Sequence, residues 1–288
     1  MEAPSLITLG VFCLAVTLSA APAPPSGQGP NGHVYVVVPA GSYSLGEKGH
    51  LVNPLHRVRL KSFRIADAET TFAQFEKFVQ ETKYVTDAER RGWGMTFRAG
   101  LPEWAWDETD GASWRRPFGP DQPLPRDDEP VTQISGEDAH AYCRWIGGRL
   151  PTCDEWEAAA RAGSRGSWPW GAQFEAGRAN IWNGETHAAE TLGEGGDGFV
   201  YLAPVRTFAA NAWGLYDVIG NVFEYCGDLP PSLRGREKVI IAGRGGSWWC
   251  SARTCHSYNL VDIGHMDRHG SLANQGFRVV WDLPVSTR

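Results

Sequence analysis

The chain has 288 residues and a net charge of −6, and 42% of its residues are hydrophobic. A chain of this size can bury one sizeable core, and its acidic balance offers no basic face, so we expect no nucleic-acid partner. Glycine, proline and tryptophan are abundant at 34, 19 and 13 residues, which is typical of a domain built from turns and loops around aromatic side chains.

The chain begins with an apolar segment that is followed by a stretch rich in proline and glycine. Residues 6–20 read LITLGVFCLAVTLSA, too short to span a bilayer comfortably, although no lysine or arginine precedes them. The pattern predicts a signal peptide over 1–21, a flexible leader over 22–32 and one domain over 33–284. We therefore expect an exported protein, in a periplasm or secretory lumen, with no membrane association once the signal is removed.

Regular elements are predicted mainly in the first half of the chain. β-Branched runs predict strands at Val34–Val38 and Val58–Phe63, and phenylalanines at 72, 75 and 78 recur at the spacing of an amphipathic helix that begins near Thr70. Residues 90–129 show no periodicity and are rich in Trp, Pro and Asp, which predicts a long structured loop, usually a functional feature.

Two further helices are predicted by capping patterns. Ser135 and Thr152 each precede acidic residues and an apolar periodic run. Beyond Gly163 periodicity mostly disappears. The expected fold is therefore α+β, a single loop-rich domain with little regular secondary structure.

The cysteine count leaves one thiol without a partner. Cys13 lies in the predicted signal, and the mature chain keeps an odd number, namely Cys143, Cys153, Cys226, Cys250 and Cys255. In an oxidising compartment at least one of these five is not in an internal disulfide.

Cys250 and Cys255 lie five residues apart, directly after the glycine-rich turn Arg244-Gly-Gly-Ser247. From the residues alone the pair is a structural disulfide, a redox dithiol or a site for one soft ion such as Cu(I). Ser247 lies three residues before Cys250, where its hydroxyl can hydrogen-bond a substrate or a sulfur, or simply satisfy the glycine turn.

Two segments combine amide and carboxylate oxygens with glycines, over 180–199 and 217–224. Such a composition fits calcium, which takes six to eight oxygen ligands, but it fits Asx turns equally. Trp248 and Trp249, with the tryptophans of the long loop, line a peptide groove or belong to the core.

A series of segments in fixed order resembles the formylglycine-generating enzyme (sulfatase-modifying factor) family from about Val34 to Trp281. The matching segments are Val38-Pro-Ala-Gly41, Gly111-Ala-Ser-Trp-Arg-Arg-Pro117, Pro130-Val-Thr-Gln-Ile-Ser135, Ala141-Tyr-Cys-Arg-Trp145, Arg149-Leu-Pro-Thr152, Pro169-Trp-Gly171, Gly220-Asn221, Arg244-Gly-Gly-Ser247 and Gly276-Phe-Arg278. The resemblance implies a fold related to C-type lectins, with bound calcium.

The resemblance also implies an O₂-dependent oxidase that converts a sulfatase cysteine to Cα-formylglycine. Cys250 and Cys255 then match the Cu(I) ligands, and Ser247 helps position oxygen or substrate. The implied calcium ligands are Asn180, Ile181, Asp197 and Phe199 in one site, and Asp217, Gly220, Asn221, Val222 and Glu224 in a second. The expected partner is a peptide or unfolded sulfatase, and the expected state is a monomer.

The chain departs from the family pattern after the cysteine pair. The stretches His256-Ser-Tyr-Asn259 and His265–Ser271 replace usual groove residues, and Val279 and Ala160 stand where animal members have disulfide cysteines. Two alternatives therefore remain. One is a periplasmic oxidase of the same fold that matures a pyoverdine-type peptide siderophore precursor, and the other is a non-catalytic, lectin-like binding paralogue.

Overall fold

Two four-stranded sheets and four short helices form the framework of the computed structural model, which describes residues 23–98, 101, 104–182, 197–251 and 254–284. The strands are β1 (Ser26–Gln28), β2 (Val34–Val38), β3 (Gly41–Leu45), β4 (His56–Leu60), β5 (Phe63–Ala66), β6 (Trp93–Thr96), β7 (Asp107–Asp110), β8 (Phe223–Cys226), β9 (Ile240–Arg244), β10 (Gly264–Asp267), β11 (Gln275–Gly276) and β12 (Val280–Asp282). The helices are α1 (Phe72–Thr82), α2 (Asp87–Arg91), α3 (Gly136–Trp145) and α4 (Cys153–Arg161). The predicted signal peptide lies outside the described residues.

The first sheet joins the two ends of the domain. Its order is β1-β2-β5-β12, and all its neighbours are antiparallel. Ile65 on β5 pairs with Val36 on one side and Val280 on the other, and all three side chains are buried. The final strand therefore packs beside the earliest ones.

The second sheet carries the segment that leads to the cysteine pair. Its order is β10-β9-β8-β11, with β11 parallel to β8 and the other neighbours antiparallel. Every residue of the central strands β8 and β9 is buried, which explains why their sequences lack the alternation of a half-exposed strand.

Each of the four helices begins with a capping box. The hydroxyls of Thr71, Thr86, Ser135 and Thr152 accept the backbone N–H three residues ahead, and the side chain there returns a hydrogen bond to the cap residue. The three predicted helices are thereby confirmed.

Three predicted segments differ in the structure. The leader predicted to be flexible instead contains β1, which pairs with the edge of β2 through backbone hydrogen bonds. The Asn31 side chain in the same segment donates to the Gln74 carbonyl on α1 and to the Tyr142 hydroxyl on α3. The single strand predicted at 58–63 is two strands, since β4 pairs with β3 and β5 joins the first sheet. The long loop contains a hairpin of β6 and β7.

Three apolar clusters fill the interior. One joins the first sheet to Trp156 and the alanines of α4, and a second joins α1 and α3 through Phe75 and Tyr142. The third surrounds Trp248 and the cysteine pair. No helix among the described residues has the length and apolar character needed to cross a membrane.

Candidate functional site

A glycine turn directs the chain from β9 to the cysteine pair. Gly245 and Gly246 have φ values of +84° and +77°, and a Cβ on Gly246 would lie 2.7 Å from the backbone of Tyr258. Only glycine fits there without strain. The turn continues as a tight loop, in which the Cys250 N–H donates to the Ser247 carbonyl at 2.9 Å.

Cys250 and Cys255 form a disulfide with a Cα–Cα distance of 4.5 Å. Of the three alternatives for this pair, the structure contains the disulfide. Both residues are buried. In this oxidised form neither sulfur is a thiolate, so the pair binds copper only after reduction.

The donor set at the pair suits a two-coordinate soft ion. No cluster of three His, Cys, Asp or Glu side chains converges as a metal site anywhere in the described part of the chain. Zinc would need two further ligands, whereas two thiolates alone satisfy Cu(I). The reduced pair therefore fits the ion that the resemblance implies.

Ser247 lies beside Cys250 in a defined orientation. Its Oγ accepts from Asn274 Nδ2 at 3.1 Å and from the Trp249 N–H at 3.3 Å, and it lies 3.8 Å from Cys250 Sγ. Because two donors already use its lone pairs, the hydroxyl proton is available to the sulfur.

An aromatic wall surrounds the pair. The Trp248 and Trp249 side chains are buried and belong to the core, so the core interpretation holds for them. Trp104 is 61% exposed, and its ring centroid lies 4.9 Å from that of Trp249. Of Trp104, Trp248 and Trp249, Trp104 is thus the one whose exposed ring can contact a bound peptide.

Two adjoining clefts extend from this wall. The larger has a volume of about 310 Å³ and is lined by Pro117, Phe118, Gln122–Pro125, Glu129 and Val200–Leu202. The smaller, of about 280 Å³, includes Arg98 and Asp107. Both share the stacked rings of Phe118 and Tyr201, and Tyr201 also contacts Trp248, two residues from Cys250.

Three of the four residues of the first implied calcium site, Ile181, Asp197 and Phe199, come together in the structure. The Asp197 carboxylate accepts the N–H groups of Ile181 and Phe199 at 3.2 and 3.0 Å, and burial raises its pKa. The contacts run through N–H groups, so the Asp197 carboxylate is used by backbone donors.

In the second implied site, two ligands are already engaged. Gly220, Asn221 and Val222 form the entry to β8. The Asn221 amide bonds Asn180 and Ala203, and the Glu224 carboxylate accepts from Arg278 and from Trp156 Nε1. The Glu224 side chain is therefore satisfied without a cation.

Two buried carboxylates in this region, Asp217 and Glu69, each have one oxygen that is not hydrogen-bonded, and the sequence did not indicate Glu69. Asp217 Oδ1 and Glu69 Oε2 are buried and have no hydrogen-bond partner among the residues that the structure describes. Burial raises the pKa of Asp217 to about 6. Burial, and next the Asp217 charge, raise the pKa of Glu69. Arg278 pairs with Glu224 and also interacts with the charges of Asp217 and Glu69. The Arg206 guanidinium interacts with Asp217 and Glu69 as well, so two cationic side chains already lie near these carboxylates.

Comparison with known proteins decides the family. A family model described as a sulfatase-modifying factor enzyme 1-like domain matches residues 21–283. The formylglycine-generating enzyme of Bos taurus is 35% identical over 291 aligned positions, which cover 87% of this chain and 75% of that protein.

The chain belongs to the sulfatase-modifying factor family. Another relative, the inactive Cα-formylglycine-generating enzyme 2 of Mus musculus, is 38% identical over 211 positions, covering 68% of this chain and 66% of that protein. The solved structure of PvdO from Pseudomonas aeruginosa superposes with a TM-score of 0.64 at 22% identity, covering 92% of this chain and 100% of that one. The predicted α+β, loop-rich fold of this family is confirmed.

Two residues near these sites, Glu69 and Asn274, were not predicted from the sequence. Glu69 precedes the cap of α1, far in the chain from the 217–224 segment that it faces. Asn274 lies two residues before the matching Gly276-Phe-Arg278 segment, which was the available signal. Only the fold brings either residue to its site.

Proposed function

We propose that the protein is a copper-dependent oxidase that converts a cysteine of a sulfatase peptide to Cα-formylglycine with O₂. The observation that carries the proposal is the buried pair Cys250 and Cys255 with the Ser247 hydroxyl oriented towards Cys250. Bound to the reduced thiolates, copper would supply the one-electron chemistry with O₂ that oxidises the substrate cysteine.

The chain's own residues have three tasks in this proposal. Cys250 and Cys255 hold the ion, and the Ser247 hydroxyl donates to the Cys250 sulfur and steadies its negative charge. The buried indoles of Trp248 and Trp249 exclude water from the pair. Of the two clefts beside Tyr201, the larger offers an extended peptide a mainly apolar surface, and the smaller adds polar side chains such as Arg98 and Asp107.

The test uses reduced protein loaded with Cu(I) and a Cys-x-Pro-x-Arg peptide. We expect the peptide to show the mass loss of cysteine conversion to formylglycine, and competition with a Cu(I) chelator to show one ion per chain. Cys250→Ser and Cys255→Ser should lose both signals, whereas Cys143→Ala, at a buried cysteine in a different apolar cluster, should keep them. Turnover by both serine variants would exclude the copper mechanism.

The same experiment separates the alternatives. Copper binding without peptide turnover would favour a substrate of another class, such as a peptide siderophore precursor, and loss of both would favour a binding paralogue. A different substrate is tested because the stretch at His265, which departs from the family pattern, is exposed on β10.

We also propose that calcium occupies the two oxygen-rich sites. The unpartnered carboxylate oxygens of Asp217 and Glu69 support the second site. If free calcium is near 100 times its dissociation constant, chelation should lower the melting temperature by about 5 to 10 °C for each occupied site. A Glu69→Gln/Asp217→Asn variant should respond less, because two of the buried charges are gone. An unchanged melting curve in the native protein would contradict both sites.

We further propose that the chain is exported, because the pattern over residues 6–20 is that of a signal peptide, and that it works as a monomer. The mass of the mature protein recovered from a periplasm or secretory lumen tests cleavage near residue 21. Size-exclusion chromatography with light scattering tests the monomer, and a precursor mass or a stable dimer would contradict the respective expectation.

A further inference from the structure

Three cysteines outside the copper-site pair are free thiols in the described structure, and all three are buried. Cys143 lies in the apolar cluster of α1 and α3. Cys153 and Cys226 lie together in the cluster of α4 and the first sheet. Cys153 is the first residue of α4, and Cys226 is the last residue of β8.

The two segments that carry Cys153 and Cys226 run side by side. The Gly227 N–H donates to the Pro151 carbonyl at 2.8 Å, and the Cys153 N–H donates to Asp228 Oδ1 at 2.7 Å. Cys153 Sγ lies 3.8 Å from the Asp228 carbonyl oxygen. Burial, and next the Cys153 thiol, raise the pKa of Cys226. Backbone and side-chain contacts thus hold the two segments that carry these thiols next to each other.

We propose that Cys153 and Cys226 are oxidised to a second disulfide, which ties the first turn of α4 to the end of β8. One S–S bond forms and two S–H bonds break. The two electrons and two protons pass to an exchanging disulfide, such as oxidised glutathione or that of a thiol oxidoreductase, which becomes two thiols.

A disulfide suits this location better than a metal ion. The Arg244 guanidinium interacts electrostatically with both sulfurs and lies over the Trp156 ring, 5.0 Å from its centroid. A fixed cation beside the pair opposes a second cation, whereas a neutral disulfide is compatible with it. The pair also gives four of the five mature cysteines a partner, and leaves Cys143 as the unpaired one.

The bond would stabilise the framework beneath the copper-site pair. The first two turns of α4 carry Trp156, which donates to Glu224, and Glu157, which accepts from Arg244 at 2.8 Å. Arg244 directly precedes the glycine turn that leads to Cys250. The inference stands whether or not the proposed oxidase function is correct.

Peptide mapping of the native protein tests the bond. The full chain is folded in a glutathione redox buffer, quenched with acid, alkylated while denatured and digested without reductant. We expect a peptide pair cross-linked through Cys153 and Cys226, with Cys143 alkylated. Alkylation of both Cys153 and Cys226 in a sample where Cys250 and Cys255 are cross-linked would overturn the proposal.

Thermal melting with and without reductant provides a second measurement, in a Cys250→Ser/Cys255→Ser background so that only the proposed bond responds. Reduction should lower the melting temperature by about 5 to 10 °C, because the bond closes a long loop. Adding Cys153→Ser should abolish the response, and adding Cys143→Ala should preserve it. A melting temperature independent of reductant in the background protein would contradict the bond.

Discussion

Ser247 is oriented by its neighbours more closely than a surface serine would be. Asn274 and the Trp249 N–H occupy its acceptor positions, and its side chain is fully buried. The hydroxyl proton is then available to Cys250 Sγ, which lies 3.8 Å away. A hydrogen bond to a charged sulfur is worth about 1.5–3 kcal/mol.

Ser247→Ala should therefore slow peptide turnover by about tenfold to 100-fold while Cu(I) binding is retained, because the thiolate ligands remain. Steady-state turnover and chelator competition on the same preparation measure the two effects. Ser164→Ala removes a serine hydroxyl that bonds the Trp168 carbonyl and serves as the matched control. Equal turnover in both variants would remove Ser247 from the mechanism.

At the scale of single elements, N-terminal capping determines where the short helices begin. Thr71 accepts the Gln74 N–H, and Gln74 Oε1 accepts the Thr71 N–H at 2.9 Å. The helix that follows, α1, places Phe75, Phe78 and Val79 against the core. The cap and the buried face act together, since helices this short are marginal alone.

Thr71→Ala should lower the free energy of unfolding by about 1 kcal/mol, the usual loss for an N-cap hydroxyl. Urea denaturation followed by tryptophan fluorescence measures it, provided the slope of the transition is unchanged. Gln80→Ala, at an exposed position of the same helix, should change the value by less than about 0.5 kcal/mol. A loss as large in the control would show that the effect is not specific to the cap hydroxyl.

At the scale of the whole molecule, His33 lies where the N-terminal part of the domain contacts α3 and the final strand β12. Its Nε2 lies 2.9 Å from the Tyr142 hydroxyl on α3, and its ring lies 5.4 Å from that of Trp281 on β12. Burial, and next the Arg206 charge, lower the pKa of His33 from 6.5 to about 3. The folded protein thus keeps this imidazole neutral where the unfolded chain would protonate it.

The His33 contribution to stability is fully present above pH 6.5 and is lost as the pH falls from there towards 3. The loss is at most about 1.4 kcal/mol per pH unit for this group. His33→Gln should flatten the pH dependence of unfolding between pH 6.5 and 4, because glutamine does not titrate. His265→Gln, at an exposed histidine, is the control. An unchanged slope in the His33 variant would contradict this account.

The sequence alone was sufficient for the features that depend on local chemistry. The spacing of Phe72, Phe75 and Phe78 and the caps at Ser135 and Thr152 correctly predicted three helices, and the ordered family segments correctly predicted the fold class. The leader was predicted wrongly because β1 exists only through its pairing with β2, a contact that no local pattern records.

Only the tertiary structure decided which distant groups meet. It placed Glu69 beside Asp217 and brought the segment of Cys153 next to that of Cys226. The physical reason is that burial and charge interactions depend on separation in space. Residues that are far apart in the sequence share one low-dielectric interior only after the sheets and helices have packed.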